Sequence, residues 1–117
     1  MKTTQVRIES QGGAEVMQLA EVELSAPGPG EVQLEQTAIG LNFMDVYQRS
    51  GAYKLALPAT LGLEAAGRVI AVGPEVEGIS VGDRVAYGGL LGAYGAHRNA
   101  PAARLVKIPD AVSDEAA

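Results

Sequence analysis

Polar and apolar residues alternate along three stretches of this chain, and each reads as a strand with one buried face. "QVRIES" (5–10) is the first. "EVMQLAEVEL" (15–24) is the second, with Val16, Ala20, Val22 and Leu24 on one side. "EVQLEQTAIG" (31–40) is the third, with Val32, Leu34 and Ala38 turned inward. Glu31, Gln33, Glu35 and Thr37 fall on its other side, which predicts a charged outer face. Further along, "RVIAVG" (68–73) is β-branched enough for a buried strand. "ISVGDRVAYGG" (79–89) sets a Gly-Asp turn before another strand, and "ARLVKIP" (103–109) is a strand ended by Pro109. "SAPGPGEV" (25–32) is a turn, because Pro27 and Pro29 fix φ while Gly28 and Gly30 permit reversal. Six or seven short strands with Gly/Pro turns and little helix predict a mostly-β, barrel-like domain.

The period breaks at "GLNFMDVYQRSGAY" (40–53). Asn42, followed three residues later by Asp45, resembles a helix start, with an amide to cap a free N–H and an acid near the positive end of the dipole. The helix is expected over 43–49 and stopped by Gly51. This segment also concentrates polar and aromatic equipment: Asn42, Asp45, Tyr47, Arg49 and Tyr53. A phenol stacks on a flat ring and donates to a carbonyl oxygen, so Tyr47 and Tyr53 are candidates for a pocket. Arg49 can steady anionic oxygens or simply be a solvated helix face. Asp45 is read as support for the helix start. His97, in "GAHRNAP", is read as structural.

Composition narrows the chemistry. With 117 residues, 47% of them hydrophobic and 20% charged, the chain suits one globular domain. Four Tyr, one Phe and no Trp leave the core to Val, Leu, Ile and Ala. The formal charge of −5 and the lack of a Lys/Arg cluster argue against nucleic acid. No cysteine and a single histidine exclude a disulfide framework and a Cys- or multi-His metal site. No apolar run reaches the ~18 residues of a membrane span, and no signal peptide is read, so the expected compartment is the cytoplasm. "GLLGAYG" (89–95) is Gly-rich but opens no helix, so it is not expected to bind a dinucleotide. "SDEAA" (113–117) begins like a capped helix, with Ser113 as cap, and predicts a fragment of something longer.

"PGPGEV", "GLNFMDVYQRSGAY", Pro58, "GLEAAGRVIAVG" and "VGDRV" follow one another in an order and spacing that resemble a known family. It is the N-terminal, GroES-like part of the medium-chain dehydrogenase/reductase superfamily, most similar to its zinc-free, zeta-crystallin-like quinone oxidoreductases. The resemblance covers nearly the whole chain. Asn42 stands where zinc-binding relatives carry a catalytic Cys, and Leu63 where they carry a His, so no zinc is expected. Glu64 follows that lost position and is expected to hydrogen-bond an inner backbone group or an Arg. What the resemblance implies is a partly open barrel with one or two short helices and no Rossmann domain, truncated before the cofactor domain and its C-terminal return.

For function, the resemblance implies an NADPH-dependent quinone reductase of which this is the substrate-side part. It is expected to be inactive alone and to bind no cofactor tightly. Asn42 and Tyr53 would meet the cofactor, Tyr47 and Arg49 the substrate, and Tyr53 and Tyr47 would be the catalytic pair. The acceptor would be a quinone or related conjugated carbonyl. A zinc-free enoyl or alkenal reductase and a stand-alone GroES-like assembly module are the alternatives. Apolar surface normally covered by the absent parts implies self-association of the chain.

Overall fold

The structure, a computed structural model, describes residues 1–117. Its strands are β1 (Lys2–Ile8), β2 (Gln18–Glu23), β3 (Glu31–Ile39), β4 (Ala59–Thr60), β5 (Ala65–Val72), β6 (Arg84–Tyr87), β7 (His97–Pro101) and β8 (Val106–Lys107). One helix, α1 (Phe43–Ser50), and two 3-10 turns, Ala14–Val16 and Ala102–Arg104, complete it. Every strand pairing is antiparallel. The order β2-β1-β4 makes a three-stranded sheet, and β7-β3-β5-β6-β8 a five-stranded one. No helix is long and apolar enough to cross a membrane.

Residues 93–96 stitch the two sheets together. Val6 N–H donates to the Tyr94 carbonyl at 2.8 Å and Ala96 N–H to the Thr4 carbonyl at 3.0 Å, which ties the segment to β1. Gln36 of β3 reaches it from the other side, its N–H donating to Ala96 O at 2.9 Å. The Gln36 amide donates to Ala93 O at 2.8 Å and Gly95 O at 2.7 Å. The result is the partly open, mostly-β barrel expected from the sequence, with one short helix and no Rossmann layer.

The strand pattern was legible where it was apolar and not where it was polar. β3 lies within one residue of its expected bounds, and Val32 and Leu34 are fully buried. Gln33, however, is buried rather than on a charged outer face. Its amide donates to Ser25 O at 3.1 Å and to Asn99 Oδ1 at 3.2 Å, which satisfies it. Register shifts at Gln33/Leu34 and Gln36/Ala38 break the strict alternation along β3. The sequence does not predict β7, since "HRNAP" carries no β-branched residue. It is the sheet edge beside β3, where Pro101 costs no ladder bond. Residues 14–16 coil into a 3-10 turn, so β2 starts later than the alternation suggests.

Val32, Leu34, Ala65, Val69, Val85, Tyr87, Ala93 and Ala100 form one core under the five-stranded sheet. Ile8, Ala59 and Leu61 form a smaller one beside β1 and β4. A fully buried Val, Leu or Ile contributes about 1.5–3 kcal/mol. His97 bridges the sheets: its Nδ1 shares a 3.0 Å hydrogen bond with Thr3 Oγ1, and its Nε2 lies 3.8 Å from Glu35.

The last residues make a capped turn, Ala116 N–H donating to Ser113 Oγ at 3.2 Å, and are not assigned as helix. Asp114 pins them to the sheet. It accepts from Thr37 Oγ1 at 2.5 Å and from Arg84 Nε at 2.8 Å. Those two partners, Thr37 first, hold its carboxyl below the usual carboxylate range. A depressed folded-state value means that the pin is complete above about pH 4 and is lost as the pH falls through the folded value. Acidification is therefore expected to release residues 110–117 before the sheets unfold. The Arg84 side-chain Nε–H resonance reports it, and a resonance that stays put from pH 5 to pH 2 would contradict the pin.

Candidate active site

The segment 40–53 folds as its sequence suggests. Asn42 is extended, at φ −132° and ψ 153°, and precedes the first turn of α1. The Asp45 carboxylate closes this end by accepting from Asn42 N–H at 3.1 Å. Asp45 N–H goes to the Asn42 carbonyl at 3.0 Å, and Asn42 and Asp45 together make the reciprocal cap that their spacing predicts. Gly51 ends α1 at φ 95°, a left-handed conformation that favours glycine. The N–H groups of Gly51 and Tyr53 both donate to the Tyr47 carbonyl at 3.2 Å. Residues 11 and 12 hold the remaining carbonyls: Gln11 Nε2 donates to Gln48 O and Tyr53 O at 2.8 Å each, and Gly12 N–H to Arg49 O at 2.8 Å.

Asp45 does more than support the helix start. It is the one buried residue of α1, only 3% exposed. Its Oδ2 also accepts a hydrogen bond from the Tyr94 hydroxyl at 2.5 Å. One carboxylate oxygen therefore fixes both the entry to α1 and a ring from the Gly-rich 88–95 loop. Burial first, and then the Asp45 hydrogen bond and charge, push the Tyr94 phenol above its ordinary range. Its ring lies against Gly62, where φ is 93° and a Cβ would sit 2.3 Å from Tyr94 Cδ1.

Beside α1 lies a cavity of about 360 Å³. Asn42, Asp45, Arg49 and Tyr94 bring polar groups to it, and Met17, Leu41, Phe43, Val46 and Leu61 give apolar walls. Leu41 and Phe43 at its mouth are 83% and 80% exposed. Tyr47 and Tyr53 do not line this cavity. They pair with each other at the other end of the helix, ring centroids 5.8 Å apart and tilted by 54°. Both are half-exposed, and neither hydroxyl has a hydrogen-bond partner within the chain. The five residues singled out from the sequence therefore divide: Asn42, Asp45 and Arg49 gather at the cavity, while the two tyrosines form a pair of their own.

Tyr94 is the residue that sequence reasoning missed. Its only signal was a tyrosine set among glycines, in a loop read for its glycines. Those glycines hold no phosphate cradle. The N–H groups of Leu90, Gly92, Ala93 and Tyr94 all donate to backbone carbonyls of residues 61–63, at 2.8 to 3.1 Å. Glu64 also departs from its reading, because its carboxylate is exposed and has neither the backbone nor the arginine partner expected. It borders a second groove, of about 460 Å³, together with Gly40, Tyr87 and Asp114. No three His, Cys, Asp or Glu side chains come together as a metal cage would require.

Residues 28–110 match the family described as the alcohol dehydrogenase GroES-like domain. The quinone oxidoreductase of Salmonella typhimurium (strain LT2) is 47% identical over 116 residues, covering 97% of this chain and 36% of that protein. The crystal structure of Escherichia coli quinone oxidoreductase complexed with NADPH has a TM-score of 0.92 at 44% identity, over 96% of this chain and 35% of that one. A 2-haloacrylate reductase from a Burkholderia species is 43% identical over 107 residues, 87% of this chain and 32% of that protein. The chain spans about a third of the length of these relatives. By the family match over residues 28–110 and these identities, the chain belongs to the alcohol dehydrogenase GroES-like domain family, and within it is similar to the quinone oxidoreductases of the medium-chain dehydrogenase/reductase superfamily.

Proposed function

We propose that this chain is the substrate-side part of an NADPH-dependent, zinc-independent reductase whose acceptor is a quinone or related conjugated carbonyl. The observation that carries the reading is the cavity beside α1. Asn42 and Arg49 open onto apolar walls there, at a face where Leu41 and Phe43 stand in solvent. In a protein of the relatives' length this face would pack against a cofactor domain, and the cavity would become part of the cleft between them. NADPH, when bound, supplies the hydride. Nothing in this chain cradles its phosphates, since the loop that resembles a cradle has spent its N–H groups. What fits here is the nicotinamide end, reached by the Asn42 amide, while Tyr53, paired with Tyr47 at the other end of α1, would face the cleft outside this cavity.

Without a metal to polarise the acceptor, positioning and hydrogen bonds perform that task. Tyr94 and Tyr87 have committed their protons, to Asp45 and Gln36 respectively. Tyr47 and Tyr53 have not, so they are the phenols with a proton to give. Reduction of a C=C bond conjugated to a carbonyl is the second reading, favoured by the likeness to a 2-haloacrylate reductase.

The test is a chimera in which this chain replaces the corresponding third of the Escherichia coli relative. It is expected to oxidise NADPH in the presence of a quinone, while the chain alone neither does so nor binds NADPH tightly. A few hydrogen bonds at about 1 kcal/mol each do not offset the several kcal/mol that association costs. A folded chimera that binds NADPH and reduces no quinone would overturn the assignment. Zinc independence has its own check. Elemental analysis of the chain after dialysis is expected to find substoichiometric metal, and tight one-to-one zinc would refute it.

A further inference from the structure

We infer that the cavity beside α1 is selective for ligands that carry an anionic oxygen on an apolar conjugated body, and that Arg49 is the residue that reads the charge. This deepens the substrate reading above and rests on it. The arginines of this chain differ in how they spend their terminal nitrogens. Arg84 places them on Asp114 and the Val112 carbonyl, Arg98 on Tyr87 and the Leu90 carbonyl, and Arg104 on the carbonyls of Gly88 and Gly89, while Arg7 and Arg68 leave theirs without a partner but do not line this cavity. Arg49 uses only Nε, which donates to Gly12 O at 3.3 Å. Its two terminal nitrogens make no hydrogen bond and no ion pair. They form a planar two-pronged donor, the geometry that a carboxylate matches.

The setting favours an anion over a neutral oxygen. Arg49 is half-buried, and its guanidinium is the only cation on a cavity whose other walls are mostly apolar. A partly desolvated cation without a counter-ion gains most from an opposite charge. Asp45, one turn earlier on α1, lines the same cavity but makes no ion pair with Arg49. Its Oδ2 is turned to Asn42 N–H and the Tyr94 hydroxyl, and its Oδ1 is buried without a hydrogen-bond partner. The volume of about 360 Å³ lies within the range of small-molecule pockets, roughly 300–1,000 Å³. The apolar body would lie on Leu41, Phe43 and Val46.

The experiment needs only the chain itself. Its amide resonances are followed while trans-cinnamate is added, and then while the neutral isostere cinnamamide is added. Cinnamate is expected to bind in the millimolar range, to shift residues 41–49, 61 and 94, and to outbind cinnamamide at least tenfold. Arg49→Gln should abolish the preference, and Arg49→Lys should keep part of it, since the charge remains and the fork does not. The spectra of both variants outside residues 11–12 and 41–53 serve as the fold control. Equal binding of the two probes, an undiminished preference in Arg49→Gln, or shifts centred on another arginine would each overturn the inference. Because no cofactor and no turnover enter this measurement, its failure is separate from failure of the chimera.

Discussion

Gly62→Ala is expected to destabilise the chain by about 2–5 kcal/mol. Two costs add. An alanine held at φ 93° carries left-handed strain of about 1–2 kcal/mol. The new methyl would also lie 2.3 Å from Tyr94 Cδ1 and 2.8 Å from Tyr94 N, and such overpacking costs about 1–3 kcal/mol. The nitrogen is backbone, bonded to Leu61 O at 2.8 Å, so a simple ring rotation brings no relief. Gly82→Ala separates the two costs. Gly82 has φ 95° with nothing within 4 Å of its would-be Cβ, so it carries the strain alone. Thermal unfolding of both variants should place Gly62→Ala at least ~5 °C below Gly82→Ala, given about 4–8 °C per kcal/mol for a domain near this size. Equal midpoints would mean that Tyr94 is not held against Gly62.

In the chimera, Tyr53→Phe is expected to lower turnover about 100-fold, against less than about twofold for His97→Ala. The figure comes from removing one preorganised donor or proton source at a developing negative oxygen. The ring survives the change, so stacking against Tyr47 and any contact with the nicotinamide remain. The loss should therefore fall on kcat more than on KM. His97 is engaged with Thr3 and Glu35 between the sheets, which makes it the control. Steady-state rates with one quinone and NADPH decide the matter. Unchanged turnover in Tyr53→Phe would remove this tyrosine from the chemistry and leave the fold assignment standing.

Apolar periodicity and turn residues carried much of the architecture. β3 and α1 fall within a residue of their expected bounds because Val32, Leu34, Asn42 and Gly51 each signal locally. β7 and the short β4 carried no such signal. "HRNAP" becomes a strand because β3 offers it an edge, a tertiary cause that no local window contains. The site was half legible for a similar reason. The sequence placed Asn42, Tyr47, Arg49 and Tyr53 within one turn-helix-turn, and they are there. That the tyrosines leave the cavity, and that Tyr94 enters it from forty-nine residues beyond Asp45, depends on the 93–96 stitch between the sheets. Asp45 looked like a helix cap because capping is what an acid at that position does locally. Its second hydrogen bond is long-range.

The unequal division of the core has a consequence for motion. Eight buried side chains lie under the five-stranded sheet, and three lie beside β1 and β4. Helix α1 adds only Asp45 to the interior, so polar pins rather than apolar burial seat it. Such a molecule should not open all at once. Amide protons of β3 and β5 should exchange with deuterated solvent only through complete unfolding. Those of α1, β1 and β2 should exchange earlier, through a partial opening that breaks the 93–96 stitch and leaves the larger sheet intact. The candidate site belongs to the early-exchanging half, so it is the part of the chain that rearranges around a ligand at the least cost.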